Sequence, residues 1–478
     1  MPTNYRYVAL ADDIQDNIIN GVFPPGEKLP SLRTLHHSLG LSISTIHQAY
    51  IELEKRGQVE AREKSGFYVK PADRQILKQP NAEKTVSRPC QVKINDLAEH
   101  IITDLQDPRV LQLGAAIPDR KIMPLKQLSR IMKSIPANEL QDHYANYDHC
   151  AGSEELREEL SRRMLGLSCP VRPEDIVTTS GCLEAVSLSL RAVAGPGDTI
   201  LVESPVFHCF LQLIEDLNMF VIEIPGCPEN GIDPIVFEKA VSSNRISACL
   251  LNSNFHNPLG SVLSMTSKEK IYGIAERLGI PIIEDDIYGD LYHGRKRPGT
   301  FKSLDKTGMV LYCSSFSKSL SPGLRTGWVV PGRYKAKVIR MKLNTVISNT
   351  GINAAVAARF IKTGAYDRHL RQLRNKLKNQ VAAMSLAVSR YFPKNTQITF
   401  PEGGLFLWVV LNPKIDAMEV YKKANAHKIS ILPGTICSSS DTYQNCLRIN
   451  CGHPWSDVLE QGIKTLGNIV HTLSDHDT

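Results

Sequence analysis

From residue 96 to the C-terminus, short apolar runs alternate with segments in which apolar residues recur at helical spacing. The strand-like runs include Ile176–Thr179, Thr199–Val202, Ala248–Leu251, Ile280–Ile283 and Met309–Cys313. Helical segments begin at Leu183, cover Val206–Leu217, and cover about residues 267–278. This alternation is typical of a sheet of parallel strands joined by crossover helices. It predicts a three-layer α/β domain over residues 96–478, with ligands at the carboxyl ends of the strands.

The first 70 residues show a different pattern of short helices and a hairpin. Ser31 is placed to cap a short helix that Gly40 ends, and Ser42 is placed to cap the next one. In that second helix the apolar positions recur at i, i+3, i+4 and i+7, at Ile46, Ala49, Tyr50 and Leu53. Val59–Ala61 and Gly66–Val69 then predict the two strands of a wing, joined by residues 62–65. This order is typical of a winged helix-turn-helix, with a small protein-docking module as the alternative.

Residues 71–95 are polar, punctuated by proline and without apolar periodicity, which predicts a flexible or semi-extended linker. The whole chain of 478 residues is long enough for two or three domains. Its 42% hydrophobic and 22% charged residues are ordinary for a soluble globular protein. No apolar run is long enough to span a bilayer, and the N-terminus lacks the hydrophobic region of a signal peptide.

The eleven cysteines are scattered without paired CxxC spacings, which indicates neither a zinc site nor a disulfide framework. We therefore expect a cytoplasmic protein without a metal site. The net charge of +7 permits an acidic partner. Residues 1–74, however, carry nine basic and nine acidic residues, so charge alone does not indicate DNA binding by the N-terminal module.

The stretch from residue 21 to residue 69 strongly resembles the winged-helix DNA-binding domain of GntR-family transcription regulators, and the resemblance extends over residues 4–70. It implies contacts with DNA phosphates and bases from two groups of residues. They are Ser31, Arg33, Ser44, Thr45, His47 and Gln48 in the helices, and Arg62, Lys64 and Gly66 in the wing. One departure is Ile43, which stands where the family often has arginine, so a common base contact is missing and a different operator is expected.

In the large domain, residues with chemical potential follow the predicted strands. Lys318 lies in a serine-rich loop with Arg325 seven positions later, an arrangement that can hold a phosphate beside a lysine able to form a Schiff base. A solvated lysine in a polar loop is the alternative for this stretch taken alone. Ser180-Gly181-Cys182 joins a strand to a helix, where free backbone N–H groups can bind an anion.

Three further positions complete the set of strand ends. Phe207 is flat enough to stack on a ring, although an aromatic residue there is more often part of the core. Asn257 lies at a Pro-Gly turn, and Asp285 ends a buried strand, where an acid is costly unless it is paired. A pyridinium nitrogen is one such partner.

Five motifs fall in the order that is found in the fold-type-I pyridoxal-phosphate aminotransferases. They are Asn257-Pro258-Leu259-Gly260, Glu284-Asp285-Asp286-Ile287-Tyr288, Ser315-Phe316-Ser317-Lys318, the later Arg325 and the run Cys446–Asn450. The chain resembles that family over about residues 110–470. The resemblance implies pyridoxal 5'-phosphate (PLP) as the cofactor, bound as an aldimine to Lys318. It also implies that Asp285 pairs with the ring nitrogen and that Asn257 and Tyr288 hold the 3-oxygen of the ring. Ser315, Arg325 and the amides of Gly181 and Cys182 would bind the phosphate, and Arg448 would bind a substrate carboxylate.

Phe207 stands where the family often has tyrosine, which keeps ring stacking and loses a hydroxyl. A GntR-type winged helix followed by an aminotransferase-like domain resembles the MocR-type regulators. That resemblance implies a homodimer in which the DNA module of one chain lies against the large domain of the other. It also implies a transcription regulator that binds duplex DNA and senses PLP, an amino compound or both.

Two other functions compete with this expectation. A working aminotransferase with an accessory DNA module is the main alternative, because every catalytic position is filled. A degenerate interaction scaffold is disfavoured by the intact Lys318, Asp285 and Arg325. Any transamination is expected to be weak or vestigial.

Overall fold

The computed structural model describes residues 6–19, 22–24, 26–56, 58–62, 65–69, 77–80, 86–92, 107, 109–440 and 442–475. The chain divides into two compact units. The first comprises Met1–Leu77 together with Ser385–Arg390, and the second comprises Lys78–Met384 and Tyr391–Thr478. No helix among these described residues is both long and apolar enough to cross a membrane.

Among its described residues the N-terminal unit contains three helices and a hairpin, and the apolar pattern predicts the second and third helices and the hairpin. The helices are α1 (Arg6–Ile19), α2 (Leu32–Leu39) and α3 (Ile43–Lys55). Both predicted caps are present: Ser31 Oγ accepts a hydrogen bond from the Thr34 amide at 3.1 Å, and Ser42 Oγ accepts one from the Thr45 amide at 3.1 Å. Gly40 ends α2 in the left-handed region at φ +66°.

The wing consists of strands β1 (Val59–Arg62) and β2 (Gly66–Val69), which pair antiparallel. The predicted apolar positions of α3 form the core of this unit together with residues of α1, the segment before α2 and the wing: Leu10, Ala11, Ile14, Leu29, Ile46, Ala49, Tyr50, Leu53, Val59 and Val69. The buried Tyr50 donates its hydroxyl to the Pro30 carbonyl at 2.7 Å, which satisfies the one polar group of its ring.

A large mixed sheet organises the second unit, in the strand order β3-β7-β6-β9-β10-β11-β12-β5, with β8 paired to β7. Its strands are β3 (Cys90–Gln91), β5 (Val177–Thr179), β6 (Thr199–Ser204), β7 (Phe220–Cys227), β8 (Gly231–Ile232), β9 (Ala248–Leu251), β10 (Ile282–Asp285), β11 (Val310–Ser315) and β12 (Gly327–Val330). The central pairs β7-β6-β9-β10-β11 are parallel. The predicted, largely parallel α/β sheet is confirmed.

Helices cover both faces of this sheet because successive strand residues point to opposite sides. Ile200 and Val202 pack in one cluster with helices α7 (Cys182–Val193) and α8 (His208–Asp216). Leu201, between them, packs in another cluster with the helices α9 (Pro234–Ser243) and α10 (Met265–Leu278). Three layers result.

The remaining helices belong to the second unit, except for Ser385–Arg390, which belongs to the first. They are α4 (Leu125–Lys133), α5 (Ala137–Ala145), α6 (Glu154–Leu165), α11 (Lys335–Leu343), α12 (Gly351–Lys362), α13 (Ala365–Tyr391), α14 (Ala417–Ala426) and α15 (Asp457–Asp475). A second sheet has the order β13-β14-β17-β16, formed by β13 (Gln397–Ile398), β14 (Phe406–Val410), β16 (Leu432–Pro433) and β17 (Cys446–Asn450). A third, of two strands, pairs β4 (Leu111–Gln112) with β15 (Ile429–Ser430).

Part of the predicted linker, residues 71–95, belongs to the large unit. Cys90 and Gln91 form β3 and pair antiparallel with Val221 and Phe220 of β7. The Ser87 amide also donates to the Glu223 carbonyl at 3.0 Å. A strand of two residues is too short to show an alternating pattern, so the sequence carries no sign of it. Residues 70–76, 81–85 and 93–106 lie outside the described part of the chain.

Candidate functional site

Strand ends bring together the residues that the sequence places in one site. Asp285 ends β10 and lies opposite Cys313 of β11 in parallel register. β11 then ends at Ser315 and delivers the chain to Lys318. Parallel neighbours end at the same edge of a sheet, so the acid and the lysine lie near one another. Each affects the other's ionisation.

Asp285 is buried, and among the described residues hydrogen-bond donors reach only one of its carboxylate oxygens. Oδ1 accepts a hydrogen bond from the Cys182 thiol at 3.1 Å and another from the Ile287 amide at 3.1 Å. Burial raises the pKa of Asp285 to about 7, while these two donors and the nearby Lys318 oppose the rise. A cationic partner would therefore favour the ionised carboxylate.

Asn257 connects two residues that the sequence assigns to different ligands. Its Nδ2 donates to the Tyr288 hydroxyl at 3.3 Å, and its Oδ1 accepts from Arg448 Nη1 at 2.7 Å. Asn252 fixes the turn by accepting the Asn257 amide at 2.9 Å. The three predicted site residues Asn257, Tyr288 and Arg448 therefore form one hydrogen-bonded row.

Arg448 is brought to this row by β17, the strand that pairs with β14 in the second sheet. It is 2% exposed, and its Nη2 donates to the Gly114 carbonyl at 2.5 Å. Its Nε is buried and has no hydrogen-bond partner among the described residues. A buried guanidinium with an unpaired N–H is costly, and a carboxylate would satisfy it.

Lys318 is half-buried, and burial lowers the pKa of its amine from 10.5 to about 8, with the positive charge of Arg448 acting in the same direction. The neutral fraction of the amine near neutral pH is therefore much larger than that of an ordinary lysine. The neutral amine is the form that attacks a carbonyl. The environment of Lys318 thus prepares it for Schiff-base chemistry.

The loop before α7 and the arginine after β11 lie in close contact. Gly181, at φ +121°, approaches Arg325 so closely that a Cβ there would lie 2.6 Å from its Nη2. Arg325 Nη2 donates to the Ser180 carbonyl, and its own backbone is left-handed at φ +46°. The exposed guanidinium therefore lies beside the free amides at the start of α7, which together suit an anion.

Ser315 and Phe207, the two other predicted contacts, have neighbours within the protein. Ser315 is buried, and its Oγ accepts from the Ser317 amide at 3.3 Å. Phe207 is half-buried immediately before α8, with its ring 4.9 Å from His208 and 5.3 Å from Phe210 between centroids. The roles of Ser315 in binding phosphate and of Phe207 in ring stacking stay predictions.

The sequence assigns no role to several residues that support the site. The Cys182 side chain contacts Asp285, whereas only its amide is expected to act. Ser319, next to Lys318, is held at its hydroxyl by Tyr366 at 2.6 Å and at its carbonyl by His369 at 3.0 Å. All three contacts join positions at least 47 residues apart, and no local motif could reveal them.

In the N-terminal unit, most of the predicted DNA contacts lie on the surface. Ser31, Arg33, Ser44, His47, Gln48, Arg62 and Gly66 are exposed, and Thr45 is half-buried. Arg62 is already engaged: its Nε donates to Glu60 at 2.7 Å, and its guanidinium lies 4.3 Å from the centre of the Tyr68 ring. Lys64 lies outside the described residues.

The arrangement of the large unit fits PLP. A buried Asp285 with one oxygen unused suits a ring nitrogen, and an amine of lowered pKa at Lys318 suits the aldehyde. The guanidinium of Arg325 lies against Gly181, beside the backbone amides at the start of α7, and these groups together suit the phosphate. No single feature is specific, but these three occur around the same strand ends.

Comparisons with known proteins agree with this division. Residues 110–465 match the family model described as aminotransferase class I and II, and residues 6–69 match the bacterial regulatory proteins of the gntR family. The chain is 37% identical to YjiR, an uncharacterized HTH-type transcriptional regulator of Escherichia coli (strain K12), over 98% of this chain and 99% of the relative. It is 35% identical to the similarly described YdcR of that organism, over 97% and 99%.

Among solved structures, the large unit is similar to a kynurenine aminotransferase of Pyrococcus horikoshii. The two share 26% identity with a TM-score of 0.72, over 80% of this chain and 95% of the other. Aminotransferases of this fold depend on PLP, and a gntR-type domain implies DNA binding. The resemblance to both families that the sequence indicates is confirmed. Because its relatives match over nearly their full length, the chain belongs to the MocR-type transcription regulators, in which a GntR winged helix precedes an aminotransferase-like domain.

Proposed function

We propose that this regulator senses PLP, an amino compound or both at Lys318, and that ligand exchange there changes its affinity for DNA. The observation that carries the proposal is the row Tyr288–Asn257–Arg448. It connects the side chains assigned to the cofactor ring with the side chain assigned to a ligand carboxylate. A ligand that occupies Arg448 would therefore act on the same hydrogen bonds that hold the ring.

Different residues of the site would hold the different parts of PLP. Asp285 would keep the ring nitrogen protonated, and Asn257 and Tyr288 would hold the ring oxygen. Arg325 and the amides of Gly181 and Cys182 would hold the phosphate. When bound, PLP supplies a carbonyl that exchanges between amines and a ring that accepts electrons. Lys318 would give up its link to the cofactor when an incoming amine replaces it.

Arg448 would select which amines cause that replacement. Its buried guanidinium already uses Nη1 and Nη2 for Asn257 and Gly114, and in the described part of the chain Nε has no partner. A carboxylate at this point would satisfy Nε and compete for the terminal nitrogens. We therefore infer that the effector is an amino acid or another primary amine that carries a carboxylate.

DNA would be read by α3 and the wing. Ser44, His47 and Gln48 are exposed on α3, on the side opposite the buried Ile46, Ala49 and Tyr50. Side chains of this kind at the start of a recognition helix reach base edges in the major groove. Ser31 and Arg33 at α2, with Thr45, would contact phosphates, and Gly66 would let the wing backbone approach the duplex. Arg62 and Lys64 would add wing contacts.

We further propose a homodimer that binds two half-sites on one face of the duplex. Support comes from the MocR-type organisation of the chain. Sedimentation of the purified chain at micromolar concentration should give a single species of twice the chain mass. A monomer under these conditions would contradict the proposed assembly.

Catalytic transamination as the main function is not favoured. The relatives that match the whole chain carry the name of HTH-type transcriptional regulators, and the winged helix has no use in a metabolic aminotransferase. Lys318 and Asp285 would nevertheless allow slow turnover. A steady rate of amino-group transfer typical of enzymes, about 1 s⁻¹ or more, would favour the alternative.

The test is a titration of the PLP-loaded chain with a panel of amino acids and amines. Absorbance reports exchange at the cofactor, and fluorescence anisotropy reports binding to duplexes selected from a random library. The proposal predicts that at least one carboxylate-bearing amine changes both signals over the same concentration range. Failure of every compound to change DNA binding, although several change absorbance, would contradict regulation by ligand exchange.

A further inference from the structure

The two oxygens of Asp285 are treated differently by the protein. Oδ1 receives both the Cys182 thiol and the Ile287 amide, each at 3.1 Å. Oδ2 accepts no hydrogen bond from any residue that the structure describes. The carboxylate is thus fixed through one oxygen, and the other is left for a ligand.

Cys182 reaches Asp285 because it is the first residue of α7 and its side chain points into the protein. It is 6% exposed and belongs to a cluster of apolar side chains that includes Ala185, Val186 and Leu311. A polar hydrogen in such surroundings needs an acceptor. Asp285 is that acceptor, so the thiol and the carboxylate hydrogen-bond to one another within an apolar cluster.

We propose that Cys182 is a positioning residue for Asp285: its thiol holds Oδ1 so that Oδ2 is left for the ring nitrogen of PLP. The inference rests on the proposed function, since it concerns the same cofactor. It gives the Cys182 side chain a role separate from that of its amide, which is expected at the phosphate. A buried carboxylate that lost one of two donors would be less readily ionised and less well oriented.

Three variants of the full chain separate this role from simple packing. Cys182→Ala removes the donor, and Cys182→Ser restores a donor of similar size. Cys249→Ala is the control, because Cys249 is equally buried in β9 but packs in the cluster on the other face of the sheet. PLP affinity is measured by absorbance titration of each apo protein.

We expect PLP to bind about ten-fold more weakly to Cys182→Ala, the loss of one hydrogen bond to a charged group. Cys182→Ser and Cys249→Ala should bind within about two-fold of the wild type. Wild-type affinity in Cys182→Ala would overturn the proposal. Equal weakening in Cys182→Ser would also overturn it, because a donor would then not suffice.

Infrared difference spectra provide a second readout that needs no cofactor. Subtracting the Cys182→Ala spectrum from that of the wild type isolates one S–H stretching band. Well above pH 7, where the Asp285 carboxyl is ionised, the band should lie at the low frequency of a hydrogen-bonded thiol and move upward in Asp285→Asn, where the acceptor is neutral. A band at the free-thiol frequency, or one unchanged in Asp285→Asn, would overturn the proposal. If no variant and no wild-type protein binds PLP, the proposed function fails, whereas the infrared band still decides the thiol–carboxylate pair.

Discussion

Arg448 donates a hydrogen bond from Nη1 to Oδ1 of Asn257 over 2.7 Å, although the two residues are 191 positions apart in the chain. Asn257 passes the interaction on to Tyr288 through its other amide atom. Arg448 comes from the second sheet and Asn257 from a loop after β9 of the large sheet. The ligand end and the ring end of the proposed site are therefore connected by hydrogen bonds.

Replacing Lys318 with alanine should abolish the covalent attachment of PLP. The expected result is loss of the visible absorbance of the linked cofactor, because no other amine occupies this position. Residual PLP, held by its phosphate, should be removed by dialysis. Borohydride reduction followed by mass spectrometry checks the result. As a control, Lys335→Ala changes a surface lysine that pairs with Asp175. An unchanged spectrum in Lys318→Ala would show that another residue carries the cofactor.

Attachment of PLP should have a pH dependence displaced from that of an ordinary lysine. Burial and the charge of Arg448 lower the pKa of Lys318 from 10.5 to about 8. Because only the neutral amine attacks, the attachment rate should rise with pH through about 8 and level off above it. Stopped-flow absorbance measures this rate. Arg448→Ala should move the midpoint upward, because a cation that disfavours the protonated amine is removed. A wild-type rate still rising steeply at pH 10 would contradict the account.

Changes in the winged helix should separate affinity from sequence preference. Arg33→Ala should weaken binding to all duplexes and reduce the salt dependence by about one phosphate contact. Gln48→Ala or His47→Ala should instead lower discrimination at particular base pairs, by about 1–3 kcal/mol each. Because residues 1–74 carry balanced charges, the overall salt slope should be shallow. Anisotropy titrations at several salt concentrations measure both effects. A chain lacking residues 1–74 that retains full affinity would contradict the assignment.

Asp290 should be important for stability. Its carboxylate contacts Arg297 at 2.8 Å, Tyr366 at 3.1 Å and Arg163 at 3.5 Å. Burial alone would raise the pKa of Asp290, but the charges of Arg297, Arg163 and Arg374 outweigh it and lower the pKa. A lowered pKa means that the stabilisation is present above the ordinary aspartate value and is lost as the pH falls below it.

Asp290→Asn should therefore cost about 3 kcal/mol of unfolding free energy at neutral pH, and the difference from wild type should shrink in acid. Urea unfolding at several pH values measures this. The matched control is Asp107→Asn, whose pair with the 78% exposed Arg109 lies at the surface and should contribute nothing measurable. Equal stability of Asp290→Asn and wild type at neutral pH would refute the stabilising role.

The sequence predicts the architecture well where a local signal exists. Serine caps, the Gly40 stop and the period of α3 determine the N-terminal unit, and alternating runs reveal the parallel sheet. The proximity of the candidate site residues at strand ends could be predicted because parallel strands end at one edge of a sheet. Short elements could not be found: β3 has only two residues and no period.

Contacts between distant segments of the chain could not be predicted from the sequence either. Cys182 and Asp285, or Ser319 and Tyr366, meet only because the strands and helices that carry them pack together. A single sequence contains no sign of which helix residue faces which strand end. The role of Arg448 is an expectation from resemblance, and its bond to Asn257, which would connect the proposed ring and carboxylate sites, is visible only in the structure.

The most direct test of the central claim measures DNA affinity with and without an amino-acid effector in wild type, Lys318→Ala and Arg448→Ala. The effector is the amino acid that most strongly changes the cofactor absorbance, and its decarboxylated amine is the control ligand. In the wild type we predict a change of DNA affinity within the usual range for coupled sites, about 5- to 150-fold. Lys318→Ala should lose the response, and Arg448→Ala should lose it for the amino acid but keep any response to the amine. An undiminished response to the amino acid in both variants would contradict signalling through Lys318 and Arg448.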